Sequence, residues 1–177
     1  MPTIEEFLDN TIKDIALLND EYAANSDWFH ESNVSKCLVD YFKSQSYIIE
    51  KDNSANIHAH GEDIIVSKND IIEIIEVKGY PSDRYAIGEK KGQLKKTKPK
   101  SQAKHWFAKC LQSTILNYAK HQKDGKVIYV AMAFPDKQVY IDMIDKMKIF
   151  FSDCRIGIKV YLIQENTRII IHDLSSR

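Results

Sequence analysis

The sequence predicts an α/β fold, a mixed central sheet flanked by helices, on three observations. Two runs of mostly β-branched residues, Asp63-Ile64-Ile65-Val66 and Ile71-Ile72-Glu73-Ile74-Ile75-Glu76-Val77, flank the turn-forming Ser67-Lys68-Asn69-Asp70, which is the pattern of a β-hairpin. Residues 127–134 form a near-continuous apolar run, the mark of a central strand covered on both faces. Segments with apolar residues at helical spacing alternate with these strands.

Each element has its local signal. Thr3 and Glu6 form a capping box, and Ile4, Phe7, Leu8, Ile12, Ile15 and Leu18 follow at helical spacing, so an extra N-terminal helix is expected. A second helix is expected to start near Ser26 or Asp27, with Val34, Leu38 and Tyr41 or Phe42 on its inner face. Tyr47-Ile48-Ile49 reads as a strand, and a short stretch lies around Ile57-His58. After the hairpin, Gly79, Pro81 and Ser82 end its second strand. Gly88, Gly92 and Pro99 argue against regular structure as far as Ser101. Ser101 is a fair N-cap for a long helix that buries Ala103, Trp106, Phe107, Cys110, Leu111 and Tyr118. Lys123-Asp124-Gly125 closes that helix, and a further one carries Val139, Tyr140, Met143, Ile144 and Met147. Last strands are expected at 156–163 and 168–171, joined by a turn at Glu165-Asn166. The order is α-α-β-β-β-α-β-α-β-β, in a single domain over residues 1–177.

Composition narrows the class. With 44% apolar and 28% charged residues the chain is globular rather than disordered or fibrous, and 177 residues suffice to bury a core without staples. No apolar run approaches the ~20 residues of a membrane span, and the acidic, polar start is not a secretory signal. Cys37, Cys110 and Cys154 are widely spaced and odd in number, which suits free thiols in the cytoplasm better than disulfides or a zinc site. The net charge is zero, but it is unevenly spread. Between positions 84 and 109, nine lysine and arginine side chains face a single acid, Glu89, a surplus of +8 that leaves −8 on the rest. Such a patch attracts phosphate backbones, although a solvated lysine-rich loop has the same composition.

One constellation carries chemistry. Glu76-Val77-Lys78 ends a strand, where residues two apart project together, and the hairpin brings Asp63 beside them. Two adjacent carboxylates can hold Mg²⁺, or Mn²⁺ in its place, through oxygen ligands. Such a cation lowers the pKa of a bound water and neutralises charge on a phosphate, while a lysine orients the water or stabilises the phosphorane. The acid-x-lysine pattern also occurs at Glu89-Lys90-Lys91 and Asp124-Gly125-Lys126, but only the copy at 76–78 ends an apolar strand with an aspartate opposite. A solvent-facing strand pair is the plain alternative, and Ile72 and Ile74 beside Glu76 argue against it. Glu31 shares a helical stripe with Val34, Leu38 and Tyr41, so it is expected to face inward toward a metal or the lysine, unless it only complements the helix dipole. His58-Ala59-His60 could supply metal ligands or a base, but reads better as loop or surface histidines. Trp106 and Phe107 could stack on bases, but their spacing with Cys110 and Leu111 favours the core.

With these residues in place, the segment 28–118 resembles the core of PD-(D/E)XK nucleases. The resemblance implies an αβββαβ restriction-endonuclease-like core and a Mg²⁺-dependent endonuclease that hydrolyses phosphodiester bonds in nucleic acid, with DNA the expected substrate. It places the first motif acid at Asp63 and the second motif at Glu76 and Lys78. Glu31 matches an acid found on the first core helix, so the implied metal ligands are Asp63, Glu76 and Glu31. Gln102 matches a polar position at the start of the helix after the third strand that often contacts the site or the substrate, so it joins Asp63, Glu76, Lys78 and Glu31 as an implied catalytic residue. The chain departs from the name-giving motif at Glu62, which stands where a proline precedes the aspartate. Lys90, Lys91, Lys95, Lys96, Lys98, Lys100, Lys104 and His105 are the expected contacts to the nucleic-acid backbone. With so little chain outside the core, base readout would call for a homodimer or for partner subunits, as in a defence or mobile-element system. The alternative is a catalytically inactive nucleic-acid-binding or complex-assembly protein on the same fold.

Overall fold

A computed structural model of the chain describes residues 28–53, 61–85, 88–122, 127–153 and 158–174. The expected N-terminal helix, the stretch around Ile57-His58, the histidines His58 and His60, the Lys123-Asp124-Gly125 turn and Cys154 lie outside these residues. In chain order the elements are α1 (Glu31–Ser44), β1 (Ile48–Asp52), β2 (Ile64–Lys68), β3 (Ile71–Val77), α2 (Pro99–His121), β4 (Val127–Pro135), α3 (Gln138–Asp153), β5 (Ile158–Ile163) and β6 (Ile169–Asp173).

The strands form one six-stranded sheet whose spatial order is their chain order. β1, β2 and β3 run as an antiparallel meander, β3, β4 and β5 are parallel, and β6 returns antiparallel to β5. The sheet is therefore mixed, and the class read from the sequence holds. At the hairpin turn Asn69 takes a positive φ of 55°, a conformation that asparagine tolerates better than most residues. The two parallel connections pass through α2 and α3, as parallel strands require.

Side-chain alternation divides the core into two layers. On β3 and β4, Ile74, Ile128, Val130, Met132 and Phe134 face a cluster with Ala103, Phe107 and Cys110 of α2 and Tyr140 and Ile144 of α3. Ile75, Val77, Ala131 and Ala133 face the other way, onto Val34, Leu38, Val39 and Phe42 of α1. β4 is thus covered on both faces, which is why its sequence shows no polar alternation. Phe107 belongs to the core and stacks on Phe134, while Trp106 is half-buried and outside both clusters, because neighbouring helix positions point about 100° apart.

The hairpin turn narrows to Asn69-Asp70, because Ser67 and Lys68 pair within β2, and the two helix starts and the basic segment also differ from expectation. α1 starts at Glu31, not near Ser26 or Asp27. His30 is extended, and its ring accepts a hydrogen bond from the Ser32 amide, doing the work of an N-cap. α2 starts at Pro99, two residues before Ser101, with Lys98 at the cap position. Proline suits the first helical turn, since its φ is already helical and the N–H it lacks would have no partner there. The basic segment, expected to be irregular, contains an antiparallel bridge between Arg84 and Leu94, closed by hydrogen bonds from the Tyr85 amide to Gln93 O and from the Gly92 amide to Tyr85 O. Gly88 and Gly92 supply the positive φ of 78° that its reversal needs.

Candidate active site

The site is assembled where β2 begins, where β3 ends and where α1 starts. Asp63 stands one residue before β2, Glu76 is the penultimate residue of β3, and Lys78 follows its end. The antiparallel register pairs Ile64 with Ile75, which sets Asp63 beside the Glu76-Val77 edge. Parallel pairing with β4 continues past the strand, since the Lys78 amide donates to Ala133 O at 3.0 Å. The Val77 amide donates to Asp63 Oδ2 at 2.8 Å, so the aspartate is held by the backbone of the strand that carries the other two groups.

Lys78 is the focus. Its Nζ lies 3.1 Å from Glu76 Oε1, 3.4 Å from Asp63 Oδ2 and 3.8 Å from Glu31 Oε1. Three elements therefore deliver three carboxylates to one ammonium. The plain alternative of a solvent-facing strand pair fails, because Glu76 is only 8% exposed and Lys78 is half-buried. Glu31 turns toward the lysine as expected, but its side chain remains 46% exposed, so it closes the site from the solvent side.

Electrostatics follow from this geometry. Burial pushes the Glu76 carboxyl above its usual range; Lys78 pulls it down by more than the like-charge repulsion of Asp63 and Glu31 adds, but not by enough to undo the burial. Glu31 is raised for the same leading reason, against the opposing pull of Lys78 and of the Gly79 amide that donates to it. Burial opposes the charge on Lys78, but Glu31, Asp63 and Glu76 outweigh it and keep the ammonium protonated well above the ordinary lysine range. Beneath the site, the wholly buried Cys110 thiol donates to the Glu76 carbonyl, and burial pushes its pKa far up.

Gly79 permits the approach of α1. A Cβ there would lie 2.6 Å from the Glu31 nitrogen and 2.8 Å from the Phe29 carbonyl oxygen, both backbone atoms. Tyr80 N donates to that same Phe29 oxygen at 2.9 Å, and the Tyr140 hydroxyl donates to Gly79 O at 2.7 Å. Lys137 Nζ packs over the rings of Trp28, Phe29 and Tyr80, within 4.6–5.6 Å of each centroid, and holds the same junction. In sequence Gly79 reads only as a strand terminator. The backbone approach that makes it indispensable involves residues some 50 positions away.

The remaining expected residues are placed differently. Gln102 Nε2 donates to Thr97 O at 2.7 Å, tying the start of α2 to the loop before it rather than to the carboxylates. Lys90, Lys91, Lys96, Lys98, Lys100, Lys104 and His105 are exposed, and Lys95 is half-buried with Nζ 3.1 Å from Ser82 Oγ. They form a basic surface from the chain after β3 to the first turns of α2. Sequence reasoning did not single out Glu62 as a participant. Its buried carboxylate receives Lys51 at 3.1 Å, Lys120 at 2.6 Å and His121 at 2.9 Å. Burial raises its pKa, but the His121, Lys120 and Lys51 hydrogen bonds dominate and hold it far below the usual carboxylate range. A second buried acid, Glu73, is paired with Lys159 at 2.8 Å and with the Tyr161 hydroxyl, beneath α1.

The donor set at Lys78 is all carboxylate oxygen, the chemistry that hard divalent cations prefer. As placed, these oxygens surround the ammonium rather than one another, and among the described residues no group of three or more His, Cys, Asp or Glu side chains is gathered to hold a metal. Also among the described residues, no helix is long and apolar enough to cross a membrane. No protein-family model matches the chain, and no curated protein is significantly similar to it.

Proposed function

We propose that the chain is a divalent-cation-dependent nuclease that hydrolyses phosphodiester bonds in nucleic acid, with DNA the expected substrate. One observation carries this reading. Asp63, Glu76 and Glu31 converge from three elements on Lys78, at the strand end from which a chain segment with exposed lysines departs. Such a convergence of buried like charges costs stability, and it is the kind of arrangement that active sites retain. Asp63 and Glu76 would hold a Mg²⁺ or Mn²⁺ ion, with Glu31 as a third oxygen donor. The bound ion supplies a water of lowered pKa and neutralises phosphate charge. Lys78, kept protonated by its three neighbours, stabilises negative charge on the phosphoryl oxygens. Val77 fixes the Asp63 carboxylate, and the lysines between positions 90 and 104 hold the backbone through charge alone.

A second reading has its own observation. The carboxylates are already paired with Lys78, and among the described residues no metal group is preassembled. A catalytically silent nucleic-acid-binding or complex-assembly protein would have such a site. Incubating purified protein with plasmid, single-stranded DNA and RNA, with and without Mg²⁺ or Mn²⁺, separates the two. Cleavage that needs the cation and disappears in Asp63→Asn and Glu76→Gln supports the nuclease. Salt-dependent binding with no cleavage under any cation supports the silent module.

A further inference from the structure

Glu62 is buried and carries three partners from two other elements: Lys51 of β1, and Lys120 and His121 at the end of α2. One lysine would suffice to offset the charge, and three partners drawn from two elements fix the position of the carboxylate as well. The backbone is pinned at the same place. Asn53 Nδ2 donates to Glu62 O at 2.8 Å, and Asn53 N donates to Asp63 O at 2.9 Å. The preceding turn is shaped for this anchor. Gly61 has a φ of +99°, and a Cβ there would lie 3.0 Å from Lys51 Nζ, the group that reaches past it to Glu62.

Everything that fixes Glu62 acts one residue from Asp63. The Asp63 side chain, by contrast, accepts from the Val77 amide and lies 3.4 Å from Lys78, with no ion pair to the β1 and α2 cations that hold its neighbour. We infer that Glu62 is a positioning residue: the anchor formed by Lys51, Lys120 and His121 on Glu62 sets the Glu62-Asp63 peptide, and so holds the Asp63 carboxylate on the Val77 amide and beside Lys78. The consequence for cleavage rests on the nuclease reading. The positioning itself does not.

The test reads the Val77 amide directly. In wild type, its proton donates to a carboxylate, so it resonates downfield and exchanges slowly with solvent. Asp63→Asn calibrates the change when that acceptor loses its charge. Glu62→Gln keeps the shape but removes the negative charge that its three partners share, and Lys120→Met thins the anchor while Glu62 and the other two partners stay. Both variants are measured well below their melting temperatures. The expected result is an upfield shift of the Val77 amide and a fall in its protection of about tenfold, the worth of one charge-assisted hydrogen bond. Amides in the middle of β4 should not change. The two variants should combine less than additively, because they act on one anchor. If Glu62→Gln destabilises the fold yet leaves the Val77 resonance and protection at wild-type values, Glu62 is only a stability element and the inference is wrong. Activity keeps the two proposals apart. A wild-type protein that never cuts ends the nuclease reading while the amide experiment still decides positioning. Cutting at wild-type rate by Glu62→Gln, with an unmoved Val77 amide, ends positioning and leaves the nuclease reading standing.

Discussion

Lys78 decides the balance of charge at the level of single residues. It is the only cation paired with Asp63, Glu76 and Glu31 among the described ion pairs, and two of those acids have pKa values raised chiefly by burial. Lys78→Met removes the counter-charge and leaves three carboxylates facing one another. Breaking a largely buried pair costs about 3–5 kcal/mol; the open side at Glu31 reduces this to about 2–3 kcal/mol, read as a lower midpoint of denaturation. In this variant Mg²⁺ or Mn²⁺ should raise the melting temperature more than in wild type, because the ion no longer competes with an ammonium for the same oxygens. Glu76→Gln should act in the opposite sense. A carboxyl whose folded pKa is raised contributes stability that is present below the unfolded value of 4.5 and lost as pH rises through the folded value. The glutamine mimics the protonated form, so it should be the more stable protein at pH 7, and its advantage should vanish as pH falls below 4.5. A variant no more stable at pH 7 would show that the pairing of Glu76 with Lys78 outweighs its burial.

At the level of elements, the site depends on how closely the start of α1 meets the end of β3, and Gly79 sets that distance. Gly79→Ala would press a methyl group into the Glu31 nitrogen and the Phe29 oxygen, so α1 must retreat by several tenths of an ångström. Overpacking of this kind costs about 1–3 kcal/mol. It should also weaken the contact between Glu31 and Lys78, already the longest of the three at 3.8 Å. The expected signature is a stability loss together with a Glu31 carboxyl whose titration, followed by carbon NMR, moves away from its wild-type position. A Glu31 titration unchanged in Gly79→Ala would mean that α1 is not held there by that contact. This junction also marks the limit of what sequence could reveal. The hairpin, the central strand and the motif residues Asp63, Glu76 and Lys78 were legible because they rest on local alternation and turn chemistry. The starts of α1 and α2 were not, because a histidine ring and a proline did the work that a serine was expected to do. The Glu62 anchor was hidden for a related reason. Its partners lie 11, 58 and 59 residues away, and no periodic pattern links them.

Across the whole molecule, charge is segregated. The surplus of +8 between positions 84 and 109 sits in the chain from the end of β3 to the middle of α2, and the acids of the candidate site lie at the strand end where that segment departs. On the proposed function, a polyanion drawn to the lysines would meet three acids that share one ammonium, which offsets part of their charge, rather than bare carboxylates. The Arg84–Leu94 bridge gives the segment a fixed base, with Arg84 Nη1 donating to Gly92 O at 2.6 Å, so part of this surface is set before any ligand arrives. Lys95, Lys96 and Lys98 lie between that bridge and the start of α2. Replacing all three with alanine should leave the fold intact, since two are exposed and the third's Nζ meets an exposed partner, Ser82 Oγ, among the described residues. Binding to duplex DNA should weaken equally for all sequences, because phosphate contacts carry no sequence information. The dependence of log affinity on log salt should become shallower by about 0.9 for each phosphate that the variant no longer neutralises. Lys104→Ala, on the exposed side of α2, should add to the effect if the path continues along the helix. The measurement is a salt titration of binding in the absence of divalent cation, so that cleavage cannot confound it. A triple variant with the wild-type slope would make this segment a solvated surface and would move the nucleic-acid path to another face of the sheet.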